Sequence, residues 1–360
     1  MTNRDKRADV ILGLRQVEKR FTQPTDAIER IGRLVSRRRG PARSVQAVAG
    51  VDLDIYEGEV VGVVGESGCG KSTLGRVLTG ILPASGGQIR YKGTLLADMT
   101  PAQRRDYDLG VQMIFQDPFA SLNPRMRVVD IIGEAPRVHG MISRREQDDY
   151  VADLMNKVSL DPAYRFRYPH QFSGGQRQRI GVARALALKP SLMVCDEAVA
   201  ALDVSVQAQV LNLFIDLRKE FDLTYFFISH NLGVVSHISD RVAIMYLGRI
   251  VEIAPTETIF RHANHPYTQA LIKELPRLSA AHHRFEPIKG ELPSPLDPPP
   301  GCPFHPRCPY AMPRCRQELP VLKERDHGDG ATDPRQAHLS ACHLNDVDAN
   351  SEQAPVETGA

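Results

Sequence analysis

Residues 65–72 read Gly65-Glu66-Ser67-Gly68-Cys69-Gly70-Lys71-Ser72, with a second hydroxyl at Thr73. Glycines at this spacing let backbone N–H groups turn inward around phosphate oxygens. A helix opening at Ser72 adds the partial positive charge of its N-terminus. Lys71 has the length to reach the β- and γ-phosphates of a nucleoside triphosphate, and the Ser72 hydroxyl can ligate Mg²⁺. The context is the one this chemistry needs. The apolar strand Val60–Val64 precedes the loop, and a helix spanning Ser72–Leu82 is expected after it. A plain glycine-rich turn is the competing reading, and agreement of both motif and context weighs against it.

Two further stretches carry compatible chemistry. The apolar run Leu192–Cys195 ends in Asp196 and Glu197. An Asp at the tip of a buried strand can hold Mg²⁺ beside a phosphate loop, and a neighbouring Glu suits a base that orients or deprotonates a water. Alone, such an acidic pair is often only a helix cap. Ser173-Gly174-Gly175-Gln176 leads into a helix expected over Gln176–Leu188, and this is either a second anion site or a simple N-cap by Ser173. The cysteines pose a separate question. Cys69 and Cys195 have local explanations, while Cys302, Cys308, Cys315 and Cys342 follow the spacing C-x5-C-x6-C-x26-C. Four thiolates suit zinc or an iron–sulfur cluster, with His305 and His343 as further candidate ligands; four free buried thiols are the plainer alternative. The C-x2–4-C knuckles that zinc favours are absent, so the wider gaps point to a larger cluster.

The elements that must position these residues alternate along the chain. Strands are expected at Val10–Val17, Val60–Val64, Leu192–Cys195, Thr224–Ile228 and Arg241–Met245. Helices are expected at Glu146–Val158, at Gln176–Leu188 before Pro190, and at Gln207–Glu220. Such alternation over residues 46–270 describes an α/β domain. Residues 24–45 read as an insertion carrying Arg30, Arg33, Arg37, Arg38, Arg39 and Arg43 with no acidic residue between them. This is a solvated basic loop or, at a membrane surface, a contact for anionic headgroups. From residue 271 the character changes, since twelve of the 26 prolines lie between Pro276 and Pro320. A segment so rich in proline builds little regular structure and needs something else to hold it. Residues 346–360 are polar and acidic and read as a disordered tail.

Composition bounds the function. The 360 residues allow two or three domains at about 150 residues each. Lys+Arg total 45 against 43 Asp+Glu, a balance that argues against a coat for nucleic acid. No apolar run approaches the ~18 residues of a membrane helix, and the N-terminus lacks a signal-peptide core. A cytosolic chain with reduced cysteines is the expectation, and reduced cysteines favour metal over disulfides.

With these residues in place, the chain resembles the ATP-binding subunits of ABC transporters. Phe172-Ser173-Gly174-Gly175-Gln176 matches the family signature, with Phe where many members have Leu. Gln116 in Phe115-Gln116-Asp117-Pro118 matches the Q-loop, Asp203 in Ala200-Ala201-Leu202-Asp203 the D-loop, and His230 in Ile228-Ser229-His230-Asn231 the switch histidine. Longer stretches resemble the oligopeptide/dipeptide importer branch: Gln116–Arg125, Tyr168–Ile180, Leu202–Val210 and Gly301-Cys302-Pro-Phe-His-Pro-Arg-Cys308-Pro309. Within that branch the chain is similar to the second of two non-identical ATPase subunits. The implied fold is α/β: an ABC-type P-loop ATPase domain over 1–270, with a RecA-like core, an antiparallel β subdomain and a helical subdomain over 117–190. A small Cys/Pro-rich region over 271–345 follows.

The resemblance also implies roles. ATP and Mg²⁺ are the expected ligands, with Ser72, Gln116 and Asp196 organising the metal, Glu197 polarising the attacking water and His230 positioning the γ-phosphate. A second ATPase subunit would pack head to tail, so that Ser173 and Gly175 meet the nucleotide on the partner's loop. Phe21 sits where the family stacks an aromatic on adenine, although a core phenylalanine reads equally well there. The loop Asp117–Arg127 would receive a coupling helix from one of two membrane permease subunits, which a solute-binding protein serves. The protein would then lie at the cytoplasmic face of the plasma membrane. The resemblance also points to [4Fe–4S] on the four C-terminal cysteines, in a structural role, with zinc as the alternative. Two departures stand out: Ala198 replaces the usual Pro after the catalytic Glu, and Ala200 the usual Ser before the D-loop. Both are small and leave every charged group in place. A soluble ABC ATPase acting on nucleic acid or ribosomes is the competing class, but there is one phosphate loop and no sustained heptad pattern. A dead nucleotide site is opposed by the presence of Lys71, Asp196, Glu197 and His230.

Overall fold

A computed structural model describes residues 9–22, 44–117, 119–275, 288, 290–325 and 333–346. Most of the basic insertion 24–45, and all of the acidic tail beyond residue 346, lie outside the described residues.

The strands are β1 (Val10–Thr22), β2 (Ser44–Tyr56), β3 (Val60–Val64), β4 (Gly86–Tyr91), β5 (Thr94–Leu95), β6 (Val111–Ile114), β7 (Leu192–Asp196), β8 (Thr224–Ile228), β9 (Arg241–Tyr246), β10 (Arg249–Pro255), β11 (Lys323–Glu324) and β12 (Leu339–Ser340). They form two sheets. One is antiparallel in the order β2-β1-β4-β5; the other runs β11-β12-β10-β9-β3-β8-β7-β6. Strands β6, β7, β8, β3 and β9 pair in parallel, whereas β10, β11 and β12 join antiparallel. Each residue of β3, β7 and β8 is buried, as expected of parallel strands covered on both faces.

One face of the large sheet packs against the antiparallel sheet through Leu12, Val17, Leu53, Val63, Leu74 and Val194. The other face packs against helices through Val60, Met193, Phe214, Phe227 and Ile180. Helices Val128–Val138, Gln147–Lys157 and Gly174–Leu186 fall within the span 117–190. Gln147 joins the first two by donating to the Val129 carbonyl at 3.1 Å, and Tyr150 donates to the Ala187 carbonyl at 2.7 Å.

Element boundaries shift from the sequence expectation where tertiary pairing decides them. The first strand continues to Thr22, because β2 pairs with it down to Thr22↔Ser44. The helix after the phosphate loop is Lys71–Leu78, starting one residue early and stopping short of Leu82; the helix expected from Gln176 begins at Gly174. The C-terminal region contributes β11 and β12, which extend the large sheet beyond β10. Among the described residues no helix is long and apolar enough to cross a membrane.

Candidate nucleotide site

Strand register gathers the site. Val63 pairs with Ile228, and Ile228 with Asp196, so β3, β8 and β7 end at one level. The phosphate loop follows β3, the acidic pair closes β7, and His230 follows β8. This is the crevice at the carboxyl ends of parallel strands where α/β sheets bind ligands.

The loop is closely packed. A Cβ on Gly65 would lie 2.1 Å from the Met245 carbonyl, and one on Gly70 2.0 Å from the Ala47 carbonyl, with Gly70 at φ 106°. Only glycine fits either place. Lys71 is 4% exposed, and its Nζ donates to the carbonyls of Gly65 and Glu66 at 2.7 and 2.9 Å. The helix Lys71–Leu78 has no acidic residue in its first turn, which leaves its N-terminus open to an anion. Ser67, Gly68, Cys69, Gly70, Lys71, Ser72 and Thr73 line a cavity of about 230 Å³ with Gln116 and Glu197. Burial raises the Cys69 thiol, which keeps it neutral beside the phosphate positions.

The acids meet their expected neighbours. Ser72 Oγ donates to Asp196 Oδ1 at 2.6 Å. Burial raises the Asp196 carboxyl, and the Ser72 hydrogen bond partly offsets this. Gln116 Nε2 donates to Glu197 Oε2 at 2.7 Å, and His230 Nδ1 lies 3.4 Å from Glu197 Oε1. Glu197 holds φ 47°, a left-handed backbone that aims its carboxylate between these two groups, and its N–H donates to the Ile228 carbonyl. Ala198 is buried, and the Ala200 N–H donates to the Glu197 carbonyl at 3.0 Å, which completes a tight turn.

Other expected residues lie apart from this pocket. Ser173 caps its helix, accepting from Gln176 N–H at 3.3 Å while Gln176 Oε1 accepts from Ser173 N–H at 3.0 Å. A Cβ on Gly174 would make ordinary contact with Leu202 Cδ2 at 3.8 Å, whereas Gly175 packs on Val206 so closely that a Cβ would lie 2.4 Å from its Cγ1. Asp203 precedes the helix Val204–Phe221 without a side-chain cap, beside an 84% exposed Val204. Phe21 is 40% exposed, under Lys19 Nζ at 5.3 Å, so it is not a core residue. It pairs with Val45, which lines the loop cavity.

Three contributors were not visible in the sequence reading. Tyr267 Oη accepts from the Glu66 N–H at 2.9 Å, Arg307 pairs with the Glu66 carboxylate at 2.9 Å, and Pro295 lines the cavity. The proline run around Pro295 and the arginine between Cys302 and Cys308 were the available signals, but neither points to a loop more than 200 residues earlier in the chain.

The expectation of a [4Fe–4S] cluster, or of zinc in its place, on Cys302, Cys308, Cys315 and Cys342 is corrected. Among the described residues no group of three or more Cys, His, Asp or Glu is placed to hold a metal ion. All four are free thiols. Burial raises Cys302, and pushes Cys308 to about 11 and Cys342 to about 12, so in the chain as it stands these groups are neutral thiols. Cys302 and Cys315 belong to the apolar core. The two candidate histidines are engaged with carbonyls: His305 Nδ1 with Cys302 at 2.9 Å, His343 Nε2 with Glu318 at 2.9 Å. What holds the region is packing. Phe304, 1% exposed, stands edge-on to Tyr246 at 5.4 Å and against Tyr267 at 5.4 Å, and β12 pairs with β10.

Comparison with known proteins agrees with this geometry. The family described as ABC transporter matches residues 48–200, and the oligopeptide/dipeptide transporter C-terminal region matches 251–315. The oligopeptide transport ATP-binding protein AppF of Bacillus subtilis is 46% identical over 341 residues, covering 93% of this chain and 98% of that protein. OppF of Salmonella typhimurium, likewise an oligopeptide transport ATP-binding protein, is 50% identical over 79% of this chain and 86% of its own length. The dipeptide transport ATP-binding protein DppF of Escherichia coli is 47% identical, over 87% and 91%. All three names describe ATP-binding transport proteins and none an iron–sulfur protein. Among solved structures, cbiO1 of Clostridium perfringens, part of the cbiONQ ABC transporter complex, superposes with a TM-score of 0.57 at 23% identity, covering 71% of this chain and 92% of that one. The ATP-binding cassette MJ0796, in a dimeric post-hydrolysis state with ADP and Pi, gives 0.57 at 22%, covering 68% and 98%. At that identity the two solved structures speak for the fold, and the curated relatives speak for the family: this chain belongs to the oligopeptide and dipeptide transport ATP-binding proteins of the ABC transporters.

Proposed function

We propose that the chain is the ATP-hydrolysing, energy-coupling subunit of a membrane importer for peptides or similar small solutes. It works at the cytoplasmic face of the membrane with a second ATPase subunit, two permease subunits and a solute-binding protein. The observation that carries the reading is Glu197, held between Gln116 at 2.7 Å and His230 at 3.4 Å beside the phosphate loop. The near-balance of charge and the C-terminal family match speak against the alternative of an ATPase acting on nucleic acid or ribosomes.

Each residue then has a task. Lys71 and the amides of residues 65–73 hold the phosphates. Ser72, Gln116 and Asp196 would hold Mg²⁺, and the pairing of a hydroxyl with a carboxylate at 2.6 Å fits an oxygen-seeking cation. When bound, Mg²⁺ neutralises charge on the phosphate oxygens. Glu197 takes a proton from the attacking water, and His230 positions the γ-phosphate. Phe21 is the adenine contact, supported by its exposure and its pairing with Val45. Ser173, Gly174, Gly175, Gln176 and Asp203 serve the partner's nucleotide, because they lie outside this chain's own pocket. The ATPase unit spans 1–270, including the helical subdomain 117–190, and the C-terminal unit spans 271–345.

The test is Glu197→Gln in the assembled transporter. ATP binding is retained and turnover falls by about 10²–10⁴-fold, the usual worth of a general base. Near-normal turnover would remove Glu197 from that role.

A further inference from the structure

We propose that Arg307 is a positioning residue for the phosphate loop, acting through Glu66. The inference rests on reading residues 65–73 as the loop that binds ATP, and it adds a contributor from the C-terminal region. Arg307 Nη1 donates to both Glu66 carboxylate oxygens, at 2.9 and 3.0 Å, across 241 residues of chain. The arginine side chain is 6% exposed and the glutamate 24%, so the pair is largely shielded from water.

Glu66 is the second residue of the loop, and every polar group it carries is engaged. Its N–H donates to Tyr267 Oη at 2.9 Å, its carbonyl accepts from Lys71 Nζ at 2.9 Å, and its carboxylate accepts from Arg307. Tyr267 is in turn packed by Phe304, three residues before Arg307. The C-terminal region therefore grips one loop residue by backbone and by side chain, and it brings Pro295 to the same cavity.

The chemistry gives this grip a purpose. A carboxylate in a loop that receives triphosphate repels its ligand, and at partial burial that repulsion is poorly screened. Arg307 neutralises the carboxylate and fixes the loop in its cradle shape before ATP arrives. Its removal therefore weakens binding in the ground state and the transition state alike. That outcome is a raised KM with kcat retained.

The experiment measures MgATP binding to the full chain by calorimetry, and KM and kcat in the assembled transporter. Arg307→Ala is expected to weaken MgATP binding and raise KM by about tenfold, with kcat changed by less than about threefold. Adding Glu66→Gln to Arg307→Ala removes the unpaired anion and is expected to restore affinity to within about threefold of wild type. Arg307→Lys, which keeps the charge, stays near wild type. If the alanine variant does not fold, Arg307→Gln carries the same test. Unchanged KM in the arginine variant overturns the proposal, even if its melting temperature falls, since that marks a purely structural contact. Failure of Glu66→Gln to rescue overturns it as well. Lys71→Ala separates the two readings: normal MgATP binding by that variant would refute the loop assignment itself, whatever Arg307 does.

Discussion

At the scale of the residue, the site is built around charges that the fold places at a cost. Asp196 is 2% exposed and its carboxyl is raised by burial, a shift that the Ser72 hydrogen bond reduces without cancelling. A raised carboxyl favours the neutral form in the folded chain, so above its folded pKa the ionised group works against stability. Asp196→Asn removes that burden and keeps an acceptor for Ser72. The variant is expected to melt higher than wild type at pH 7–8 in Mg²⁺-free buffer. The gain should shrink as pH falls through the raised pKa and vanish below the ordinary value for Asp. The same variant loses Mg²⁺-dependent hydrolysis. Melting curves across pH decide the matter, and an advantage that persists undiminished below pH 4 would show that charge burial is not its source. If Asp196 holds Mg²⁺ as proposed, stability and function pull in opposite directions at one carboxylate.

At the scale of the element, local constraint separates what was legible from what was not. The phosphate loop could be read because the demands on Gly65 and Gly70 are set by backbones close to them in space, and the motif encodes those demands in adjacent residues. The acidic pair after β7 and the histidine after β8 were legible for a similar reason, since parallel strands buried on both faces announce themselves as apolar runs. The extent of β1 was not, because its last five residues, Glu18–Thr22, are strand through pairing with β2, and at Glu18 with β4 as well. The cysteines were misread because spacing does not distinguish thiols that ligate from thiols that pack. A proline-rich segment did need a staple, and the staple is Phe304 in its aromatic nest. Phe304→Ala is therefore expected to cost about 3–5 kcal/mol in the stability of this region. Limited proteolysis should then release fragments from residues 290–346 while the parallel strands stay protected. Equal protease resistance of the variant and wild type would move the staple elsewhere. Glu252 supplies a second fastening. It is fully buried on β10, and although burial opposes its charge, His338 at 2.7 Å and the N–H groups of Asn264 and His265 hold its carboxyl below the ordinary value.

At the scale of the whole molecule, the proposed function would give the chain half of each of two sites. Its own loop, acids and His230 converge at the ends of β3, β7 and β8, while the Ser173 turn and the start of the helix after Asp203 lie outside that pocket. That turn still has the features of an anion site. A Cβ on Gly174 would only touch Leu202 Cδ2, at 3.8 Å, the helix Gly174–Leu186 has no acidic residue in its first turn, and Val204 is 84% exposed. A helix N-terminus so arranged gains little from facing water and much from facing the phosphates of a second subunit. The expectation is that isolated chain hydrolyses ATP slowly and that the Ser173 turn acts in trans. Ser173→Arg, which puts a bulky cation at the turn, should depress hydrolysis at the partner's loop while MgATP still binds this chain's loop with wild-type affinity. The check uses assembled transporter in which the partner's loop lysine is either intact or mutated. Ser173→Arg should abolish the activity that depends on the partner's loop and spare most of the activity that depends on Lys71. Loss of MgATP binding at Lys71 in the Ser173 variant would place the turn in the chain's own pocket, and full activity of a strictly monomeric preparation would end the shared-site account.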